Sequence, residues 1–103
     1  MIRIERRPRA LEDLRDHATF IARDNLGAAE EFLRCAEQTF RELSMFPRQG
    51  RVRTDLPRPL SSLRSVRVHR HPNYIVYYKV ASKTLAIVRL LHAAQDVEST
   101  LSK

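Results

Sequence analysis

Cysteine occurs once in these 103 residues and glycine only twice. The single thiol, Cys35, excludes an internal disulfide. It sits in a helix-like apolar pattern and reads as a small core residue rather than a nucleophile. With only Gly27 and Gly50, no glycine-rich phosphate loop can be built. No apolar run approaches the roughly 20 residues that span a bilayer, so no membrane association is expected. The N-terminus, MIRIERRPR, is basic without an apolar signal core, which points to the cytoplasm. His69 and His71 stand two apart with no Cys or acid beside them, so no metal is expected, and no cofactor.

Negative charge is also scarce, but only in one half. Residues 1–42 carry eight Arg and nine acids, for a net −1. Residues 43–92 carry eight Arg, two Lys and a single acid, Asp55, for a net +9. Residues 93–103 return to −1. One side of the fold must therefore hold most of the positive charge, which suits nucleic acid, an acidic protein partner or both. At 43% hydrophobic and 30% charged, the chain is globular rather than disordered, and its length fits one domain over residues 1–103.

The apolar spacing gives the element order. Ile2 and Ile4 alternate with Arg3 and Glu5, as in a short strand. Pro8 suits the first turn of a helix, where its missing N–H costs nothing. Leu11, Leu14, Ala18, Ile21 and Ala22 then recur at helical spacing, with Glu12, Asp13, Asp16, His17 and Arg23 assigned to the polar side. Asn25-Leu26-Gly27 breaks this helix. A second, from about Ala28, carries Ala29, Phe32, Leu33, Ala36, Phe40 and Leu43 on one stripe and the i,i+4 pairs Glu30–Arg34 and Glu37–Arg41. Pro47 and Gly50 end it, and residues 47–63 read as a loop.

Three strands follow at Ser65–Arg70, Tyr74–Val80 and Leu85–Leu91, joined by turns at Pro72-Asn73 and Ala81-Ser82-Lys83. Short turns imply an antiparallel meander. The expected architecture is α+β, β-α-α-β-β-β: an N-terminal strand and a two-helix hairpin packed on a small antiparallel sheet. The hairpin covers one sheet face. The other, with some of Arg67, His69, Tyr77, Lys79 and Arg89, is expected to be partly open. Tyr77 and Tyr78 point to opposite faces, and His71, beside Pro72 in a turn, is expected to be exposed.

An ordered set of short pieces runs through nearly the whole chain. It comprises Pro8-Arg9-Ala10-Leu11-Glu12-Asp13-Leu14, Ile21-Ala22, Asp24-Asn25, Ala28-Ala29, Phe32-Leu33 and Leu43-Ser44-Met45-Phe46-Pro47. Gly50-Arg51, Leu63-Arg64-Ser65, Tyr77-Tyr78, Ile87-Val88-Arg89, Leu91-His92 and Asp96 complete it. In this order and separation the set resembles the ParE toxins of the ParE/RelE superfamily. The resemblance implies a cytoplasmic toxin of a type II toxin–antitoxin system that inhibits DNA gyrase without chemistry of its own. It also implies a cognate ParD-like antitoxin whose disordered C-terminal segment folds on the toxin. Operator DNA would be met only through that antitoxin.

One departure stands out. The family's last strand commonly continues His-Gly, one or two Arg, then Asp, whereas this chain reads His92-Ala93-Ala94-Gln95-Asp96. An arginine is absent at Gln95, which opens the alternative of a member that binds its antitoxin but poisons nothing. Relatives of the RelE type cut mRNA on the ribosome. That chemistry needs a base, an acid and cations, and the residues available for it are Arg67, His69, Arg89 and His92. The expected target- or antitoxin-binding set is Arg64, Arg67, Arg70, Tyr77, Arg89, His92 and Gln95. The antitoxin is expected across Arg64, Arg67, Arg89 and the exposed side of the hairpin.

Overall fold

The computed structural model describes residues 1–102. Strand β1 (Arg3–Arg6) leads into helix α1 (Pro8–Ala22), with Pro8 in its first turn as expected. Helix α2 (Leu26–Met45) starts two residues before the expected point, because Asn25 caps it by accepting from the Ala28 N–H at 3.0 Å. Strand β2 (Arg51–Val52) and a 3-10 turn (Leu60–Ser62) interrupt the long connection. Strands β3 (Arg64–Val68), β4 (His71–Val80) and β5 (Thr84–His92) form the meander, and a short helix α3 (Val97–Leu101) closes the described chain.

The sheet has five strands in the order β1-β5-β4-β3-β2. It is mixed rather than purely antiparallel: β1 runs parallel to β5, while the other pairings are antiparallel. The helical hairpin forms the crossover between β1 and the rest of the sheet. Two elements of this picture were not expected, β2 and α3. One turn is also displaced. The β3–β4 reversal lies at His69-Arg70, where Arg70 takes a φ of 63°, and Pro72 and Asn73 belong to β4.

The main core lies between hairpin and sheet. Phe32, Ala36, Phe40 and Leu43 from α2 meet Val68, Val76, Tyr78, Leu85, Ile87 and Leu90 from the sheet. From α1, Ala10, Leu14, Ala18 and Ile21 join them, and Cys35 is buried as expected. Leu11 and Leu33, placed on the apolar stripes from spacing alone, are 42% and 37% exposed. Of the expected pairs within α2, Glu37 instead reaches Arg6 of β1 at 2.7 Å.

A second cluster lies on the opposite face. Leu63, Tyr77 and Leu91 are buried there, with Leu60, Ile75, Val88, Val97 and Leu101 packed against them. The 3-10 turn and α3 thus cover much of the face expected to be open. An irregularity in β4–β5 pairing falls between Tyr77 and Tyr78, where Tyr77 opposes Arg89 and Tyr78 opposes Ile87. Val88 is the extra residue. The two tyrosines point to opposite faces, as expected, but both are fully buried.

Candidate functional site

Register fixes which side chains share the second face. Arg51 pairs with Ser65, Ser65 with Tyr77, and Tyr77 with Arg89, so these four form one row across the sheet. Arg67, Ile75 and Leu91 form the next row. Between the β2 side of this face and α3 lies a groove of about 430 Å³. It is lined by Arg51, Arg53, Ser65, Val66, Arg67 and Tyr77, with Ile75 and Val97 at its apolar side. Three of its residues are cations and none is an acid.

Arg53 organises the groove. Its Nε and Nη2 donate to the two Asp55 carboxylate oxygens at 2.9 and 2.8 Å. Its Nη1 donates to the Tyr77 hydroxyl at 3.2 Å and to Ser65 Oγ at 3.4 Å. The guanidinium also lies 5.5 Å from the centre of the Tyr77 ring. A planar fork with five N–H donors can satisfy all these acceptors at once, which an ammonium cannot. The Asp55 hydrogen bonds hold Arg53 above the usual arginine range, against the opposing effect of burial. Arg53 in turn holds the Asp55 carboxyl down at about 2.

The other cations divide by role. Arg67 is exposed and donates to the Pro72 carbonyl at 2.6 Å, with no acidic partner among the described residues. Arg51 is largely exposed and stands 3.9 Å from Asp55. Arg64 turns to the helix side of the sheet and staples the preceding loop, donating to the Arg48 and Gly50 carbonyls at 3.1 and 2.8 Å. Arg70 is exposed at the β3–β4 turn.

Arg89 was expected on an open face, and the structure corrects this. It is 6% exposed and grips Asp13 of α1 through Nε at 2.7 Å and Nη2 at 2.9 Å. Asp13 also accepts the Leu90 N–H at 3.0 Å, beyond the last residue of β5 that β1 covers. Arg89 Nη1 donates to the Thr100 carbonyl at 3.2 Å. Its pKa is raised chiefly by the Asp13 hydrogen bonds. This residue clamps α1, β5 and α3 together and offers no free charge to a partner. Tyr77, fully buried, likewise offers no open ring to a partner.

The histidines stand apart from the groove. His92 opposes Tyr74 on the helix side, its ring 4.9 Å edge-on from the tyrosine. Its Nδ1 accepts the Ala94 N–H at 3.0 Å, and Gln95 Oε1 accepts the His92 N–H at 2.7 Å. His92 and Gln95 therefore close the turn after β5. His69 lines hollows against α2, and its N–H donates to Thr39 Oγ1 at 2.9 Å. His17, assigned to the polar side of α1, instead pairs its Nε2 with the Leu90 carbonyl at 2.8 Å and packs edge-on against Tyr74. His71, expected to be exposed, packs edge-on against Phe32 with its Nε2 3.7 Å from Glu31. The four residues Arg67, His69, Arg89 and His92 are not brought together as a set: Arg67 and His69 line one small hollow beside Thr39 and Glu42, but Arg89 is buried against Asp13 and His92 closes the turn after β5.

Arg51, Arg53, Asp55 and Ser65 were not among the expected site residues, although Arg51 and Ser65 belong to the family-like pieces. The available signal was Asp55 itself, the one acid among residues 43–92, two residues from an arginine. Among the described residues, no group of three or more His, Cys, Asp or Glu could hold a metal ion, and no helix is long and apolar enough to cross a membrane.

A helical hairpin on a mixed five-stranded sheet, with a cation-lined groove on the far face, defines a small two-layer α+β domain. The family described as the ParE toxin of the type II toxin-antitoxin system parDE matches residues 4–97, and the chain belongs to it. Nine chains of solved structures match the fold. One, from the chromosomal ParDE TA system of P. aeruginosa, is 16% identical, with a TM-score of 0.71 over 89% of this chain and 96% of its own. No curated protein matches.

Proposed function

We propose that this ParE-family toxin inhibits DNA gyrase by binding it and is neutralised by a cognate ParD-like antitoxin. The observation that carries the reading is the organisation of the groove. Its cations are held by hydroxyls, a carbonyl and one carboxylate, and no histidine lines it, while the His17 and His92 rings are engaged by backbone groups elsewhere in the fold. That arrangement favours a surface that grips over one that cleaves. The antitoxin's acidic segment would lie along Arg67, the Arg64 rim and the exposed side of the hairpin. Arg89 is not part of that surface.

The decisive experiment incubates purified gyrase, ATP and supercoiled plasmid with and without the toxin. Protein-dependent linear DNA, suppressed by the antitoxin, is the expected result. Folded toxin that yields no linear product refutes the gyrase reading. A second reading, antitoxin binding without poisoning, is favoured by one observation: Gln95, where the family commonly carries arginine, folds back onto the His92 N–H rather than presenting a cation. It predicts tight antitoxin binding by a protein that leaves gyrase unaffected and is harmless when expressed alone.

A further inference from the structure

Two hydroxyls form part of the groove wall, and each has an unused proton. Tyr77 and Ser65 both accept from the same Arg53 Nη1, at 3.2 and 3.4 Å. A hydroxyl that accepts one hydrogen bond still has its O–H to give. Among the described residues neither O–H has an acceptor, although Tyr77 is fully buried. The Tyr77 oxygen is satisfied by Arg53 beneath the surface, where it fixes that guanidinium, whereas Ser65 is part-exposed and has its O–H to give to a ligand.

What surrounds these protons is of one kind. Among the described residues the polar side chains lining the groove are Arg51, Arg53, Ser65, Arg67 and Tyr77, so they offer donors and positive charge but no carboxylate. Asp55 is turned onto Arg53, which it fixes through two bonds. This ordering is complete before any ligand arrives, so little side-chain entropy remains to be lost on binding. A ligand that satisfies such a set must bring several acceptors and negative charge.

We infer that the groove is a phosphate subsite, built to hold a phosphodiester of a nucleic-acid strand. The donor geometry selects phosphate over the carboxylate of an acidic peptide. A carboxylate is planar and is best met by one in-plane guanidinium fork. Here that fork on Arg53 is already taken by Asp55. The donors left over are the Ser65 hydroxyl and Arg67 on β3 and Arg51 on β2. They approach from different elements and suit the several oxygens of a phosphate. The net +9 of residues 43–92 supplies the long-range attraction to a polyanion. This inference does not depend on gyrase being the target.

The test is fluorescence anisotropy of the intact protein with short labelled DNA and RNA oligonucleotides across a salt series. The variants are Arg67→Gln, Ser65→Ala and Tyr77→Phe, with Arg23→Gln on the exposed end of α1 as a charge-matched control. Losing one phosphate contact should reduce the salt slope by about 0.7 for a single strand and weaken binding uniformly across sequences. Arg67→Gln and Ser65→Ala should each weaken binding by about tenfold, and Arg23→Gln should leave it unchanged. The DNA and RNA arms identify which strand is preferred. Tyr77→Phe reports only the positioning of Arg53, because Tyr77 is buried, and a titration with inorganic phosphate provides an independent readout. Phosphate should shift the Nε–H resonances of Arg53 and Arg67 before those of Arg23. Equal weakening by Arg67→Gln and Arg23→Gln would reduce the binding to diffuse electrostatics and overturn the subsite. So would an oligo-glutamate peptide binding with this variant dependence while both oligonucleotides fail to bind.

Discussion

Removing the Asp13 carboxylate by Asp13→Ala tests the central structural argument, that Arg89 serves the fold. The pair is nearly dry, with side chains 7% and 11% exposed. Asp13 accepts three hydrogen bonds, two from Arg89 and one from the Leu90 N–H. Its removal leaves a buried guanidinium unpaired and a backbone donor orphaned. Breaking such a pair from one side costs about 3–5 kcal/mol. A domain of this size has a total stability of about 5–15 kcal/mol, so the variant should approach marginal stability. Its Tm should fall by more than about 10 °C, since each kcal/mol shifts a 60–100-residue domain by about 4–8 °C. Urea unfolding followed by far-UV circular dichroism gives the free energy directly. The companion Asp13→Leu/Arg89→Met replaces the pair by apolar groups and should recover part of the loss. It retains the orphaned Leu90 N–H, worth about 1–3 kcal/mol. A double variant whose loss equals the sum of the two single losses would show that the residues are uncoupled. That result would refute the clamp and return Arg89 to the set of residues free to bind a partner.

At Gly50 an added Cβ would collide with the Tyr78 hydroxyl and stand 2.8 Å from its ring and 2.9 Å from the Ser65 carbonyl. Gly50→Ala should therefore destabilise by about 1–3 kcal/mol in denaturant unfolding, and a neutral result would mean that this loop yields easily. The Asp55 carboxyl, held at about 2 by Arg53, should titrate far below its ordinary 3.8 in a carbon-detected NMR titration. Because the folded value is depressed, the pair's contribution is present above 3.8 and is lost as pH falls through about 2; a midpoint at 3.8 would dissolve the Arg53–Asp55 pair. Arg67→Glu should weaken antitoxin binding most strongly at low salt, as measured by surface plasmon resonance. Equal affinity at low salt would remove Arg67 from that interface.

The hairpin and meander were legible because burial imposes periods that survive in one sequence. Alternation in β3 and the dense apolar runs of β4 and β5 reflect a strand wedged between neighbours. The misreadings have a common origin. On α1 the buried stripe runs through Ala10, Asp13, Leu14, His17, Ala18 and Ile21, at uniform helical spacing. Asp13 and His17 were assigned to solvent on polarity, although their positions lie on the buried stripe. Their partners, Arg89 and the Leu90 carbonyl, are 76 and 73 residues away, beyond any local pattern. An arginine inside an apolar strand was itself the signal that a buried carboxylate must exist somewhere. Strand β2 has only two residues, too few to show alternation. Helix α3 has five, marked only by Asp96, whose carboxylate accepts the Ser99 N–H at 3.3 Å.

Charge segregation pointed to a binding surface, but the count of arginines does not measure it. Three of the eight between residues 43 and 92 do structural work. Arg89 is internal, Arg53 is committed to Asp55 and the two hydroxyls, and Arg64 holds the loop carbonyls of Arg48 and Gly50. Guanidinium suits this work because one side chain can satisfy several acceptors in a segment with little regular hydrogen bonding. The same property makes arginine-to-alanine scanning misleading in this fold. Loss of toxicity in an Arg89 variant would report a failed clamp, and in an Arg53 variant a collapsed groove wall. Arg67, exposed and without an acidic partner among the described residues, can report an interface directly, because its removal leaves no buried charge unpaired. An activity map of this toxin therefore requires a stability measurement beside every arginine substitution, and only those that leave stability intact locate the surface its partner touches.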